Sequence, residues 1–360
     1  MADPGSALLS SARLKVADAP GLIRALGARF ADHAAITPTE TGAVLEAEKF
    51  GRLTLCAEGD TLTAQCESPS ASALAFLKMY TAEGLVELAG PDASALAWSG
   101  ETAGVLPFFR EMQVARTEAV TPLMRRVVLA GDAAHFEAAD ALHVRVLIPP
   151  AGRAPVWPHA GADGRMIWPP APDALVPRVY TVRRVDLPRG EIAIDVVLHG
   201  GISTPGADWA RGAGPGDVVG LLGPGGAAPA PAPVMLLAGD ETALPAIARC
   251  LETLPAGTRA IVRLEVQDEQ EIQPLPSPAT LDLRYLLRGA AEPGCSSLLD
   301  AAIAELDLAP HLGTLRAFVA CEQAEARRIR ARLAAAGVPK DRRLVAAYWR
   351  RGQAGVDLDG

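Results

Sequence analysis

Arg178-Val179-Tyr180-Thr181 places a guanidinium, a phenol and a hydroxyl within four residues. In an extended strand Arg178 and Tyr180 share one face while Thr181 falls on the other, and Val182 continues the pleat. A guanidinium can grip a phosphate through two parallel bonds, a phenol ring can pack on a flat heteroaromatic ring, and a hydroxyl can bond a ring nitrogen. The same residues also suit an ordinary strand with a surface ion pair. The second segment runs His199-Gly200-Gly201-Ile202-Ser203-Thr204-Pro205-Gly206-Ala207-Asp208-Trp209 and follows the strand-like Val196-Val197-Leu198. Its glycines and Pro205 predict a tight loop and Ala207 to Ala210 a helix start, whose backbone N–H groups bind anions without basic side chains. Ser203 or Thr204 can donate a hydroxyl or serve as N-cap. Trp209 fits the core or the flank of a bound ring. His199 reads more simply as a strand-end structural histidine than as a ligand, and no metal site is expected, because nothing else stands at metal spacing. Together the two segments suit a flavin, ring at one and pyrophosphate at the other.

A third segment, Gly239-Asp240-Glu241-Thr242-Ala243-Leu244-Pro245, follows the apolar run Val234-Met235-Leu236-Leu237-Ala238 and opens a helix. In a parallel sheet that is the carboxyl end of a first strand, where dinucleotides bind. The G-x-G-x-x-G fingerprint is absent, so a plain strand-to-helix turn capped by Asp240 or Thr242 fits equally.

These segments need elements to hold them, and the patterning supplies three kinds. Residues 1–95 read as a small α+β domain. It has a strand at Ala12–Val16, a helix capped by Asp18 with Leu22, Ile23, Leu26 and Phe30 on one face, a hairpin around Gly59-Asp60, and a second helix through Leu74, Leu77 and Tyr80. Pro91, Ser94 and Ser99-Gly100 mark a linker. Residues 105–230 show short β-runs at Met112–Ala115, Met124–Leu129, Leu142–Ile148, Arg178–Val185 and Ile192–His199, separated by proline- and glycine-rich loops, as in a small antiparallel barrel. Residues 231–360 alternate apolar strands (Val234–Ala238, Ala260–Val266, Leu315–Ala320) with helical stretches, the mark of a parallel sheet covered on both faces. The chain is thus a multidomain α+β protein.

A net charge of −8 disfavours nucleic acid as a partner. The five cysteines show no C-x-x-C, which excludes the usual zinc and iron–sulfur spacings, and their odd number argues against a disulfide framework. Neither a signal-peptide pattern nor a run of about 18 apolar residues is present, so a reduced, cytoplasmic protein without membrane insertion is expected.

R-V-Y-T-V-R-R (178–184), H-G-G-I-S-T-P-G-A-D-W-A (199–210), P-G-D (215–217), G-P-G-G (223–226), G-D-E-T-A-L-P-A-I (239–247) and A-Y-W-R-R-G (347–352) together resemble the siderophore-interacting protein family, FAD-dependent ferric-siderophore reductases of the ferredoxin-reductase superfamily. The first ninety or so residues resemble a small domain of unknown function sometimes fused upstream of it. The resemblance implies a six-stranded antiparallel FAD-binding barrel followed by a nicotinamide-binding α/β domain. It implies flavin contacts at Arg178, Tyr180, Thr181, Val182 and His199, and a pyrophosphate loop from Ser203 and Thr204 through Gly206 and Ala207 to Trp209. Dinucleotide contacts fall at Gly239, Asp240, Glu241, Thr242, Ala243, Leu244 and Glu322, with an aromatic pair, Tyr348 and Trp349, near both cofactors. The chain departs from the family at Thr204-Pro205-Gly206, where Gly-Pro-Ala is common, and at Cys321, where glycine is common. The flavin carries the chemistry, so no side chain is assigned as acid or base. The implied partner is a ferric siderophore, with a quinone or protein electron acceptor, or a redox-sensing role without turnover, as alternatives. Gln267-Asp268-Glu269 after the second apolar strand favours NADH over NADPH, although these acids also suit a loop cap, and Arg284, Arg288, Arg327 and Arg328 remain candidates for a 2′-phosphate.

Overall fold

The computed structural model describes residues 7–90, 96–100, 104–137, 141–198 and 203–353. The chain divides into two compact units, Met1–Phe109 with Val156–Ala174, and Arg110–Pro155 with Leu175–Gly360.

The first unit runs β1 (Leu8–Lys15), α1 (Ala19–Phe30), β2 (Ala35–Pro38), β3 (Gly42–Ala47), β4 (Gly51–Glu58), β5 (Thr61–Ser68) and α2 (Ala71–Ala89). The strands form one antiparallel sheet in the order β1-β5-β4-β3-β2. Alternate residues of the sheet (Ala12 and Leu14, Leu45, Leu53 and Leu55, Leu62 and Ala64) share a buried cluster with Leu22, Ile23 and Leu26 of α1 and Leu74 and Leu85 of α2. The period-2 and period-3.6 patterns therefore meet in one core. Both helix starts are capped as their sequences dictate: Asp18 Oδ1 accepts from the Gly21 N–H at 2.8 Å and Ser70 Oγ from the Ala73 N–H at 3.2 Å. Tyr80, one of the residues that mark α2, is partly exposed and lies among the rings of Phe50 and Phe76.

The region after α2 differs from a plain linker. Pro91 and Ser94 lie outside the described residues, but Leu96 and Trp98 are buried in the first unit and Trp98 pairs with Ala12 of β1. The Trp98 indole N–H donates to the Asp163 carbonyl at 2.8 Å, and the Gly104 N–H to the Ala160 carbonyl at 2.9 Å. Thus Val156–Ala174, with its two short strands β9 (His159–Ala160) and β10 (Met166–Ile167), packs with residues far earlier in the chain. No local pattern announces such a tie, because it depends on two segments about sixty residues apart.

The second unit contains a closed barrel and a parallel sheet. The barrel comprises β6 (Phe109–Thr121), β7 (Met124–Ala130), β8 (Ala141–Ile148), β11 (Val176–Asp186), β12 (Glu191–Val197) and β13 (Val218–Ala227), in the order β11-β12-β7-β6-β13-β8. β13 is the barrel strand absent from the sequence-derived runs, since Gly220 interrupts its short apolar half and glycines with Pro224 make up most of the rest. Helix α3 (Pro205–Gly212) joins β12 to β13. The α/β part follows as β14 (Val234–Gly239), α4 (Leu244–Thr253), β15 (Arg259–Val266), β16 (Thr280–Leu287), α5 (Leu298–Ala304), β17 (Leu315–Glu322), α6 (Gln323–Ala335) and β18 (Arg343–Trp349). All five strands are parallel, ordered β16-β15-β14-β17-β18. Central strands β14 and β17 are buried almost throughout and read as continuous apolar runs, whereas edge strand β16 is largely exposed and carries Thr280, Asp282 and Arg284 among its leucines, and edge strand β18 is half-buried. The order reverses between β14 and β17, so the carboxyl ends of these strands flank the crevice where ligands bind in such sheets. No helix among the described residues is long and apolar enough to cross a membrane.

Candidate functional site

The sequence segments converge at two places in the second unit. On the barrel, Arg178 and Tyr180 of β11 stand opposite Val146 and Val144 of β8, while Thr181 stands opposite His143 on the other side of the pleat. The first turn of α3 lies directly against Tyr180. A Cβ on Gly206 would fall 1.9 Å from the Tyr180 Oη and 3.7 Å from the Arg178 Cγ, so glycine is required for this approach. The Tyr180 and Trp209 rings are 6.3 Å apart and tilted by 32°. Arg178, Tyr180, Gly206 and Trp209 are thereby gathered at one helix start. Thr204 occupies the N-cap position with extended backbone but no side chain caps the turn, and Ser203 Oγ donates to the Asp208 carboxylate instead. The backbone donors of the first turn are thus not claimed by a cap.

Arg178 donates from Nη1 to the Pro177 carbonyl at 2.6 Å and has no carboxylate partner among the described residues. The ion-pair alternative for this strand is not realised. Burial pushes the Tyr180 phenol up, so it is protonated. Thr181 is buried; Val182 points into the barrel core, and its carbonyl accepts from Arg249 Nη1 at 2.8 Å. Ala207 is buried. His199 lies outside the described residues.

The second place is the carboxyl edge of the parallel sheet. Asp240, just past β14, is buried and accepts from the Thr242 N–H at 2.9 Å, the Thr242 hydroxyl at 2.5 Å and the Trp349 indole N–H at 2.7 Å. Asp240 thus caps the turn, as one sequence reading held, and also anchors the C-terminal aromatic. Glu241 pairs with buried Arg288. Gly239 closes β14, and Ala243 and Leu244 are packed in the core, so their side chains shape the turn from beneath. Glu322 ends β17 and caps α6, accepting from the Ala324 N–H at 2.5 Å. Tyr348 meets His143 of β8: the phenol Oη and imidazole Nε2 are 2.8 Å apart and the rings stand edge to face at 5.3 Å.

Sequence reading did not select His143, nor an ionic chain that joins the barrel to α4. Asp195, fully buried, accepts from Arg126 Nε at 2.6 Å and Nη2 at 2.8 Å, and lies 4.0 Å from Arg183. Arg183 in turn grips Glu252 of α4 at 2.6 and 3.0 Å. The available signal was a single aspartate inside the apolar run Ile192–Leu198, a pattern that marks a buried charge with a partner elsewhere. A second tie is Glu271, buried, which accepts from the Thr121 hydroxyl at 2.5 Å and the Leu123 N–H at 2.9 Å in the β6–β7 turn.

Burial dominates the electrostatics of the sheet edge. It raises the Asp240, Glu241, Glu265 and Glu325 carboxyls, and in Glu241 the charge of Asp240 adds to burial while Arg288 opposes it. Glu265 is pushed up to about 6 and accepts from the Ser296 hydroxyl at 2.6 Å. A carboxyl with a folded-state pKa above its unfolded value binds protons more tightly when folded. Its stabilisation is complete below about pH 4.5 and is lost as pH rises through 6. Glu265→Gln, which keeps an acceptor for Ser296, is therefore expected to gain up to about 2 kcal/mol on the wild type at pH 8 relative to pH 4.5. Urea unfolding of both proteins at the two pH values measures it, and an equal difference at both would refute the assignment.

Family models match three stretches: "Uncharacterized protein conserved in bacteria" at residues 11–99, "Siderophore-interacting FAD-binding domain" at 113–228 and "Siderophore-interacting protein" at 232–352. The ferric vibriobactin reductase of Vibrio cholerae serotype O1 is 33% identical over 260 residues, spanning 71% of this chain and 93% of that protein. An NADPH-dependent ferric-chelate reductase of Escherichia coli is 34% identical over 150 residues, 41% of this chain and 57% of that one. Among solved structures, a siderophore utilization protein from T. fusca aligns with 34% identity and a TM-score of 0.61 over 70% of this chain and 96% of that chain. The siderophore-interacting protein of Aeromonas hydrophila aligns with 27% identity and a TM-score of 0.56 over 68% and 92%. With matched order along barrel and sheet, and a relative covered nearly end to end, the chain belongs to the siderophore-interacting protein family.

Proposed function

We infer that this chain is a flavin-dependent ferric-siderophore reductase: one NAD(P)H and two ferric chelates give NAD(P)+, two ferrous ions and one proton. The observation that carries the reading is the gathering of Arg178, Tyr180 and the uncapped start of α3 around Gly206, in a chain one third identical to a ferric vibriobactin reductase.

The residues fit an FAD. A guanidinium without a carboxylate partner among the described residues and a helix start without a side-chain cap together suit a pyrophosphate, and Tyr180 offers a neutral aromatic surface beside them. When bound, FAD supplies a two-electron acceptor that can release electrons one at a time. The protein's own part is to bind and orient. Arg178 and the α3 backbone hold the phosphates, Tyr180 packs on the ring, and Thr181 presents its hydroxyl from the opposite side of β11. The carboxyl edge of β14 and β17, with Tyr348 and Trp349, receives the nicotinamide dinucleotide. Iron(II) binds hard oxygen donors less tightly than iron(III), so reduction releases the metal without a general acid or base.

Our reading favours NADH. Asp268 caps its own short turn, accepting from the Gln270 N–H at 2.9 Å, so its carboxylate already has a structural role. Support comes instead from the arginines: Arg288 is buried against Glu241 and Arg284 pairs with Glu305, while buried carboxyls of both neighbouring strands crowd the same edge. Neither of these two arginines is left without a carboxylate partner for a 2′-phosphate. Side-by-side kcat/KM values are expected to favour NADH by about tenfold or more, a difference of ~1.4 kcal/mol; an NADPH preference, as in the E. coli relative's name, would reverse the choice.

The test of the whole reading is an anaerobic titration of FAD-loaded protein with NADH, then a ferric siderophore. Bleaching of the flavin absorbance and its recovery are expected. Protein that retains no FAD, or flavin that stays bleached when the ferric chelate is added, would overturn it.

A further inference from the structure

We propose that His143 is a positioning residue: through the hydrogen bond between its Nε2 and the Tyr348 phenol it holds Tyr348 against the barrel face that carries Thr181, and so sets the surroundings of the flavin ring. The proposal rests on the flavin reading above and adds a residue to it.

Four observations converge. The register of β8 against β11 puts His143 directly opposite Thr181, and directly paired residues of antiparallel strands project from the same face. Thr181 is the hydroxyl assigned to the flavin ring, so His143 is its immediate neighbour. The imidazole is walled on one side by β13: a Cβ on Gly226 would come within 2.2 Å of Nδ1. That wall leaves Nε2 as the nitrogen aimed at Tyr348, 2.8 Å from the phenol oxygen, with the rings edge to face at 84°. The next residue, Trp349, is fixed from the other direction by its indole N–H to Asp240 at the end of β14.

Two consecutive aromatics are thus held at opposite ends, Tyr348 by the barrel and Trp349 by the sheet edge. The ladder of β18 to β17 fixes the backbone here, and the contact with His143 fixes where the Tyr348 phenol points relative to β8 and β11. Burial, with the nearby Arg249 cation, pushes the imidazole down to about 4, so at neutral pH it is uncharged and can accept from the phenol.

The test is a double-mutant cycle on full-length protein with His143→Phe, Tyr348→Phe and the double variant, plus His143→Gln to restore an acceptor near the Nε2 position. The readouts are the FAD dissociation constant, the visible spectrum of bound FAD and its midpoint potential. Each single Phe variant is expected to weaken FAD binding about fivefold, the size of one buried hydrogen bond, and to shift the flavin spectrum. The double variant should be no worse than the poorer single one, because both remove the same contact. His143→Gln should lie within about twofold of wild type. Additive losses in the double variant, or an unchanged spectrum and affinity in Tyr348→Phe, would overturn the proposal. Tyr348→Phe removes a single oxygen, so it gives an answer even if His143→Phe fails to fold. Wild-type protein that binds no FAD would defeat the flavin reading itself, an outcome distinct from normal binding with unaffected variants.

Discussion

Arg178→Ala is expected to weaken FAD binding by about 10- to 100-fold while leaving the fold intact. A charge-assisted bond to phosphate contributes roughly 1.5–3 kcal/mol, which sets that range. The fold should tolerate the change because, among the described residues, Arg178 bonds only the adjacent Pro177 carbonyl, and the side chain is not part of the barrel core. Arg178→Lys should recover part of the loss, since lysine keeps the charge but not the two-pronged geometry. Fluorescence titration with FAD measures both, and thermal unfolding of the FAD-free proteins serves as control. An unchanged dissociation constant would return this strand to a structural role and leave the helix start of α3 as the sole phosphate site.

Asp195→Ala is expected to destabilise the protein by about 3–5 kcal/mol, because it strands the partly buried Arg126 and weakens the hold on Arg183. The replaced carboxylate is fully buried, so solvent cannot compensate for the lost partner. The effect should reach beyond the barrel. Arg183 is also the residue that grips Glu252 of α4, so loosening it frees one of the ties between barrel and parallel sheet. Two signatures are expected: a lower urea midpoint, and faster hydrogen exchange in α4 than in the wild type. Destabilisation below about 1 kcal/mol would show that the arginines find other partners. Replacing the whole set Arg126, Asp195 and Arg183 with apolar residues of similar volume should cost less than Asp195→Ala alone, since no charge is then left unpaired.

The readable parts of the chain share a physical basis. Leu22, Ile23 and Leu26 mark α1, the Gly59-Asp60 turn marks the β4–β5 hairpin, and the unbroken apolar run of β14 marks a central parallel strand, because in each case residues within one element face one core. Edge strand β16 escaped because exposure permits the polar residues Thr280, Asp282 and Arg284, which break up its apolar run. β13 escaped because its glycines allow His143 and the barrel closure to approach, a requirement set by β8 and not by β13 itself.

By itself the sequence determined the element types, the family, and the two segments suited to a flavin, since local backbone preference and the order of short motifs are properties of neighbouring residues. Tertiary structure alone decided which side chains meet. It placed Gly206 beneath Tyr180, left Arg178 without a carboxylate partner among the described residues, turned Val182 into the core and gave Asp240 the Trp349 indole. It joined Val156–Ala174 to the first unit and brought His143 to a tyrosine 205 residues away. Such pairings depend on strand register and on the packing of distant elements, and no window along the chain contains both partners.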